Sequence, residues 1–334
     1  MPAAKEYVKA AACVASVVIA LLAAWFASDV FLLAFAGIVA AILLRSAADG
    51  IARLLHLRPG LSLGLTCLLL VMSIGLFCWH IVPRINDQVD VLRHDLPAAW
   101  RQLLTWLHQS RWAGQVADRI QSSGLSYKHF GGTVLSAFSG LASALGGIVL
   151  VLFLCLYFAA NPSLYVRGFV KLLPKHAERR GQEVLHTCGG QLRKWLLGKL
   201  SLMAFVGFAT ALGLWLLNSP LVLSLALLAA MLDFIPNIGP IISAVPAALM
   251  AFTRGPSHAL WVIALYFAVQ IVESYLLQPL VQKRAVALPP SVTLLGQVLI
   301  GTLFGPLGLV LATPLTVVGL TLVRTVYLQD ILRK

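Results

Sequence analysis

The sequence predicts an all-α membrane protein: a polytopic helical bundle in which two apolar tracts are broken by proline and glycine. Three observations carry that expectation. Hydrophobic residues fill 60% of the 334 positions and charged residues only 11%, which leaves no ordinary soluble domain. Apolar runs of about twenty residues, enough for a helix to cross a hydrocarbon core of about 30 Å, recur along the chain. Finally, residues 221–252 and 292–323 each carry a Gly-Pro pair near the middle, Gly239-Pro240 and Gly305-Pro306, with Pro246 and Pro314 soon after. Proline removes a backbone donor and clashes with the preceding turn, so a straight lipid-facing helix cannot run through either tract.

Taken in order, residues 1–82 hold three spans. The first covers 8–27, the two-residue link Ser28-Asp29 leads to a second at 30–44, and the third runs over 61–82. Between the last two, Arg45, Arg53 and Arg58 stand against Asp49, which places that loop and the N-terminus in the cytoplasm. Residues 83–131 are the one sizeable polar insertion. There Ile85, Val89, Leu92, Leu96, Leu103 and Leu107 repeat with amphipathic helical spacing, and Trp100, Trp106 and Trp112 suit a membrane interface. This insertion is expected to be extracytoplasmic and helical, lying on the bilayer, on a neighbouring subunit or over a gated path. Residues 132–162 hold a fourth span, 134–159, with Gly140, Gly146 and Gly147 for close helix contact, ending at Asn161-Pro162. Residues 163–199 carry eight Lys or Arg against Glu178 and Glu183 and are expected to be cytoplasmic, with attraction to anionic lipid as an added role. A fifth span, 200–217, opens the last segment, 200–334.

Several function classes fall away. The net charge of +13 sits in short loops between spans, where positive-inside topology puts it, so it does not imply nucleic acid. Cys13, Cys67, Cys78, Cys155 and Cys188 have no metal-ligand spacing, and neither a disulfide framework nor a metal site is expected. The N-terminus lacks a convincing cleavage site and reads as a retained span. Gly60-Leu-Ser-Leu-Gly64 matches a nucleophile-elbow string but opens a membrane span. With neither His-Glu-x-x-His nor a Walker loop, no enzyme, catalytic residue or cofactor is expected.

The broken tracts concentrate the chemistry. Each is either one kinked crossing or a hairpin that returns to its own side; the placement of Arg254, Lys283 and Arg284 favours two hairpins from opposite faces. Such an inverted pair lets one site open alternately to either side, with the tips expected to meet near the midplane. Asp233 follows twelve apolar residues, which carries it about 18 Å along a helix, past the middle of the core. An ionisable group there marks a coupling or transport role, unless it caps a helix or pairs with a cation. Asn237 and Ser243 offer neutral polar contacts. Glu273, with Gln270, Ser274 and Gln278 on adjacent turns, lies near the end of the 258–277 span, where it serves the path or snorkels toward Lys283 or Arg284. Gln297 and Thr293 are polar positions in the first arm of the second tract.

Ile235-Pro-Asn-Ile-Gly-Pro240, Glu273-Ser-Tyr-Leu-Leu-Gln-Pro279, Phe304-Gly-Pro-Leu-Gly308 and Ala312-Thr-Pro314 stand in an order and spacing that resembles the autoinducer-2 exporter family of bacterial permeases. The likeness is specific over 190–323, and Asn237 and Ser274 depart from the usual pattern. It implies an inner-membrane, multi-pass permease with both termini cytoplasmic and 200–334 as its transport core. Such a protein would export or exchange a small hydrophilic solute, coupled to a proton or sodium ion; the resemblance also allows cation/proton exchange. The expected partners are the lipid bilayer, that solute and further copies of the chain. The expected path residues are Asp233, Pro236, Asn237, Gly239, Pro240, Ser243, Gln270, Glu273, Gln278, Pro279, Gln297, Gly305, Pro306, Gly308 and Pro314. A non-transporting channel or scaffold worked by the 163–199 segment is the rival from another class.

Overall fold

The computed structural model describes residues 27–58, 60–73, 145–282 and 288–326, with a few positions between 75 and 108. The first span, most of the 83–131 insertion and the Lys283-Arg284 pair lie outside the described residues. Every element among the described residues is helical: α1 Ser28–Leu55, α2 Gly60–Ser73, α3 Leu145–Ala160, α4 Pro162–Val170, α5 Glu178–Leu216, α6 Val222–Leu232, α7 Ile238–Phe252, α8 Pro256–Ile271, α9 Gln278–Gln282 and α10 Pro290–Leu322. Among them, four helical stretches are long and apolar enough to cross a membrane by length and composition, one of them the stretch holding α10, which folds back at Gly305, and the bent pair of α3 and α4 makes a fifth candidate. This is the all-α, multi-span bundle that composition predicts.

The rod on which the rest is mounted is α5, 39 residues without a break. It crosses the boundary expected at 199–200, so the basic segment and the fifth span are one helix. Its buried positions, Val184, Cys188, Leu192, Leu196, Lys199, Leu202, Val206, Thr210 and Leu214, recur every three or four residues and make one stripe along the rod. Arg179 and Arg180 meet Glu183 on the exposed side of its first turns. At the far end Asn218 and Leu221 take left-handed backbone around Pro220, and the chain doubles back. There Arg254 donates to the Asn218 carbonyl and closes the base of the next element.

That element is a hairpin. Helix α6 descends along α5: a methyl on Gly207 would stand 2.9 Å from the Ala230 Cβ, and Leu214 shares a buried cluster with Leu225. The backbone breaks over 233–237, where Pro236 cannot continue a helix and Asn237, at φ 65 and ψ −44, centres a tight turn in which the Ile238 N–H donates to the Pro236 carbonyl at 2.8 Å. Helix α7 then climbs back, with Ala247 and Ala251 in the same cluster as Leu225 and Ala229. Gly239 is required at the tip, because a side chain there would strike the Leu232 carbonyl.

The second tract folds back as well. Within α10, Gly305 has φ 66 and ψ −153, a conformation outside the helical region that glycine alone adopts readily. A Cβ on Gly301 would lie 3.2 Å from Leu309, and one on Gly296 would lie 3.6 Å from the Thr316 Cβ. Such proximity of 296 to 316 requires two antiparallel arms. Leu288 and Val317, at the base of this hairpin, pack on Leu192, Trp195 and Leu196 of α5, whereas the base of the first hairpin sits at the other end of that rod. The two hairpins therefore enter from opposite ends, as an inverted pair. The tip of the first does not simply meet that of the second: the Pro236 carbonyl accepts a hydrogen bond from Gln297, eight residues ahead of Gly305.

Helix α1, backed by α3, braces the basic end of α5, whereas Ala259, Val262 and Tyr266 of α8 pack with Leu214 at the far end. Arg45 of α1 donates to the Ala159 carbonyl of α3 at 2.7 Å, and Asp49 of α1 pairs with Arg193 of α5 at 3.2 Å. The two basic stretches, 45–59 and 163–199, are thus in contact through helices α1 and α5. At the opposite end, Trp106 of the insertion packs edge-on against Phe252 with centroids 5.8 Å apart.

The fold-back of the second tract is open to a direct check. Cysteines at Gly296 and Thr316 should form a disulfide on mild oxidation, since a Cβ separation of about 3.5 to 4.5 Å suits one. In a single crossing the two positions would lie about 30 Å apart, and no cross-link would form.

Candidate functional site

Where the first hairpin breaks, the chain buries three charges. Lys199 on α5 is 5% exposed, Asp233 at the end of α6 is 1% exposed, and Glu273 on the turn after α8 is 5% exposed. The Lys199 Nζ lies 2.8 Å from Asp233 Oδ2 and 3.6 Å from Glu273 Oε1, so one ammonium bridges two carboxylates. Local chain geometry aims all three inward. Lys199 occupies the buried stripe of α5, between Leu196 and Leu202. Asp233 is the residue at which α6 stops, beside the negative end of its dipole, where a cation is favoured. Glu273 sits where α8 widens into a π-helical turn over Val272–Leu277, a distortion frequent at functional sites.

Neutral groups hold the carboxylates in place. The Gln270 side-chain amide donates to Glu273 Oε2 at 3.2 Å and to Ser274 Oγ at 3.0 Å. Gln297, 1% exposed, reaches from the second hairpin to the Pro236 carbonyl at 2.9 Å. Two acceptors are left over: Asp233 Oδ1 and Gln297 Oε1 are buried and have no hydrogen-bond partner among the described residues. Unmade bonds of this kind cost on the order of 1 to 3 kcal/mol each.

Beside the charges lies a cavity of about 340 Å³. Its walls include Trp195, Lys199, Pro236, Asn237, Ser274, Gln278, Pro279, Thr293 and Thr313. Lys199 belongs to both the cavity and the charge cluster, so it links whatever occupies the one to the charge state of the other. The lining is otherwise neutral: Leu202, Val281, Leu288 and prolines with a few hydroxyl and amide side chains among them, a mixture that suits a small molecule with some polar groups. Lys199 stands 17 residues from the end of α5, about 25 Å along the rod. The cluster therefore lies near the middle of the rod, 21 residues from its start.

Of the residues expected from sequence, Asp233, Glu273, Gln270 and Gln297 form or support the charge cluster, and Pro236, Asn237, Gln278 and Pro279 line the cavity. The rest shape the hairpins. Gly239 and Pro240 open α7, Ser243 donates to its own helix at the Pro240 carbonyl, and Gly305 and Pro306 make the second tip. Gly308 permits close packing on the Ile300 carbonyl, and Pro314 is buried in the second arm. One expectation is corrected: Glu273 does not snorkel, because its carboxylate is buried against Lys199. Of the alternatives for Asp233, pairing with a cation is realised, through Lys199.

Sequence reasoning missed Lys199 by counting it among eight basic residues of a solvated segment. A signal existed. Lys199 falls on the same three-and-four spacing as Leu192, Leu196, Leu202 and Val206, and a lysine on a buried stripe requires a carboxylate partner.

An all-helical, multi-span bundle with two opposed broken hairpins, and with buried charges where one breaks beside the other, is the construction of a membrane transporter. Comparison with known proteins agrees. The chain belongs to the AI-2E family of transporters, whose family model matches residues 14–328. It is 28% identical to the YrrI protein of Bacillus subtilis (strain 168) over 74% of this chain and 72% of that one. It is 27% identical to the YueF protein of the same organism over 77% of this chain and 70% of that one. A further relative is the AI-2 transport protein TqsA of Escherichia coli (strain K12), 27% identical over 53% of this chain and 52% of TqsA.

The ion cluster makes a stability prediction. Lys199→Met leaves two buried carboxylates uncompensated and should destabilise the protein by about 3 to 5 kcal/mol, read as a lower melting temperature in detergent. Adding Asp233→Asn to that variant should recover part of the loss. Asp233→Asn alone should fold, because Glu273 still stands 3.6 Å from the ammonium.

Proposed function

We propose that this chain is a bacterial inner-membrane permease that exports or exchanges a small hydrophilic solute, of the kind the name of TqsA records, driven by an ion gradient. The observation that carries the reading is the adjacency of a solute-sized, neutral-lined cavity to a buried cluster of one lysine and two carboxylates. The solute occupies the cavity between the hairpins. Charge exchange at Asp233 and Glu273 is felt there through Lys199. Both carboxylates belong to one bridged unit, so neither is dispensable.

Flux into proteoliposomes under imposed proton or sodium gradients tests the coupling. At matched protein content, Asp233→Asn and Glu273→Gln should both fall to the rate of protein-free vesicles. Gradient-driven flux that survives in Asp233→Asn at the full rate would remove the carboxylate from the coupling machinery.

In the proposed topology both termini and the basic end of α5 face the cytoplasm, with the base of the first hairpin outside. An impermeant thiol reagent applied to whole cells should label a cysteine at Ser257 and spare one at Val281. The reverse pattern would invert the assignment.

A further inference from the structure

Residues 163–199 hold eight basic side chains, and the structure sorts them. Arg179 and Arg180 meet Glu183, Arg193 meets Asp49, and Lys199 is bridged to Asp233 and Glu273. Lys194 is exposed on the rod. The other three, Arg167, Lys171 and Lys175, are exposed on α4 and the turn that follows it, and none of them meets a carboxylate among the described residues. No Asp or Glu occurs in the sequence between 162 and 177 to serve them.

This uncompensated charge borders an apolar surface. Only Asn161 separates α4 from α3, and the two helices meet at 87°. The inner side of α4 is fixed: Val170 is buried, and Tyr165 packs edge-on against Phe158 of α3 with centroids 4.7 Å apart. Its outer side carries Leu164, Phe169 and Leu172, all exposed, Leu172 at 82%. Together with Tyr165 and Gly168 they fall on one helical face, which a surface helix of a soluble domain would turn inward. The Lys171 N–H bonds to the Arg167 carbonyl, so the helical turn runs through both, and the two cations stand one turn apart on the flank beside Leu164. The Arg167 Nε donates to the Ser163 carbonyl at 3.0 Å, which leaves both Nη nitrogens to donate outward.

We propose that α4 and the turn through Lys175 form a binding surface selective for an anionic phospholipid, with its acyl chains along Leu164, Phe169 and Leu172 and its phosphate on Arg167 and Lys171. Lys175 adds a third positive charge to the same surface. Two alternatives fit less well. A soluble phosphate has no use for the apolar face, and a second copy of the chain docked face to face would set three cations against three. A phospholipid with a net negative charge satisfies both halves at once, as interfacial amphipathic helices do on anionic membranes.

Native mass spectrometry of the purified full-length protein, titrated with dioleoyl phosphatidylglycerol or dioleoyl phosphatidylcholine, tests the surface. The expected result is preferential retention of phosphatidylglycerol by the parent. The variant Arg167→Gln, Lys171→Gln, Lys175→Gln should lose about tenfold or more of that affinity, at about fivefold per basic residue, with phosphatidylcholine unaffected. Phe169→Ser with Leu172→Ser should weaken both lipids, and Lys194→Gln should bind as the parent does. If the triple variant fails to fold, Lys171→Gln alone, at an exposed position, should show the single fivefold step. Equal phosphatidylglycerol affinity in the parent and the basic-residue variants overturns the proposal. Displacement of the lipid by equimolar inorganic phosphate would make this a free-anion site, and loss of an oligomer in the triple variant would show that a second copy covers the face; either result also overturns it.

Discussion

The constraint on which this structure depends is that a lysine and two carboxylates, once taken out of water, must find each other. The desolvation of each ion costs several kcal/mol, and only close pairing offsets it. Lys199, Asp233 and Glu273 come from three separate elements. For their side chains to converge, α6 must stop at Asp233, α8 must widen around Glu273, and α5 must turn its buried stripe toward both. The break in the first hairpin and the π-helical turn are thus two faces of one requirement. Proline and glycine provide the break; the ion cluster determines where it is tolerated.

The opposed hairpins fit the same logic. Irregular backbone at membrane depth survives only where protein or a water-lined cavity covers it. Here the carbonyl of Pro236, at the break of the first hairpin, accepts from Ile238 N–H of its own tract and from Gln297 of the other hairpin, so the second tract helps to satisfy the first. Close approach is secured by small residues at the contacts, including Gly207 against Ala230 and Gly308 against the Ile300 carbonyl. Membrane helices lack a strong hydrophobic drive toward one another, and such small-residue contacts replace it.

Much of this was legible in the sequence. Composition and run length are enough for a helical membrane bundle, because hydrocarbon thickness sets a span length that soluble helices do not need. The hairpins were legible through Gly239-Pro240 and Gly305-Pro306, and their opposed sense through the scarce charges between them. Lys199 was not, because a charge next to Arg193 and Lys194 looks like one more solvated residue until the stripe of α5 is followed through it. The fate of Glu273 went with it: without a buried cation in view, the nearest visible partners were Lys283 and Arg284. Continuity of α5 was hidden for a related reason, since charge density suggests a boundary where the backbone has none.

Helix α4 leaves α3 at 87°. If α3 stands upright in the bilayer, α4 lies along its surface, with Leu164, Phe169 and Leu172 exposed on a segment that also carries Arg167 and Lys171. Apolar rings and chains at the level of lipid head groups act as a float, and the basic residues beside them as its keel in the anionic layer. Since α4 leads within a few residues into the unbroken rod of α5, that waterline also sets the depth of everything mounted on the rod. A charge cluster 21 residues along α5 is thereby held at a fixed distance from that lipid surface, gauged by a helix that never touches it.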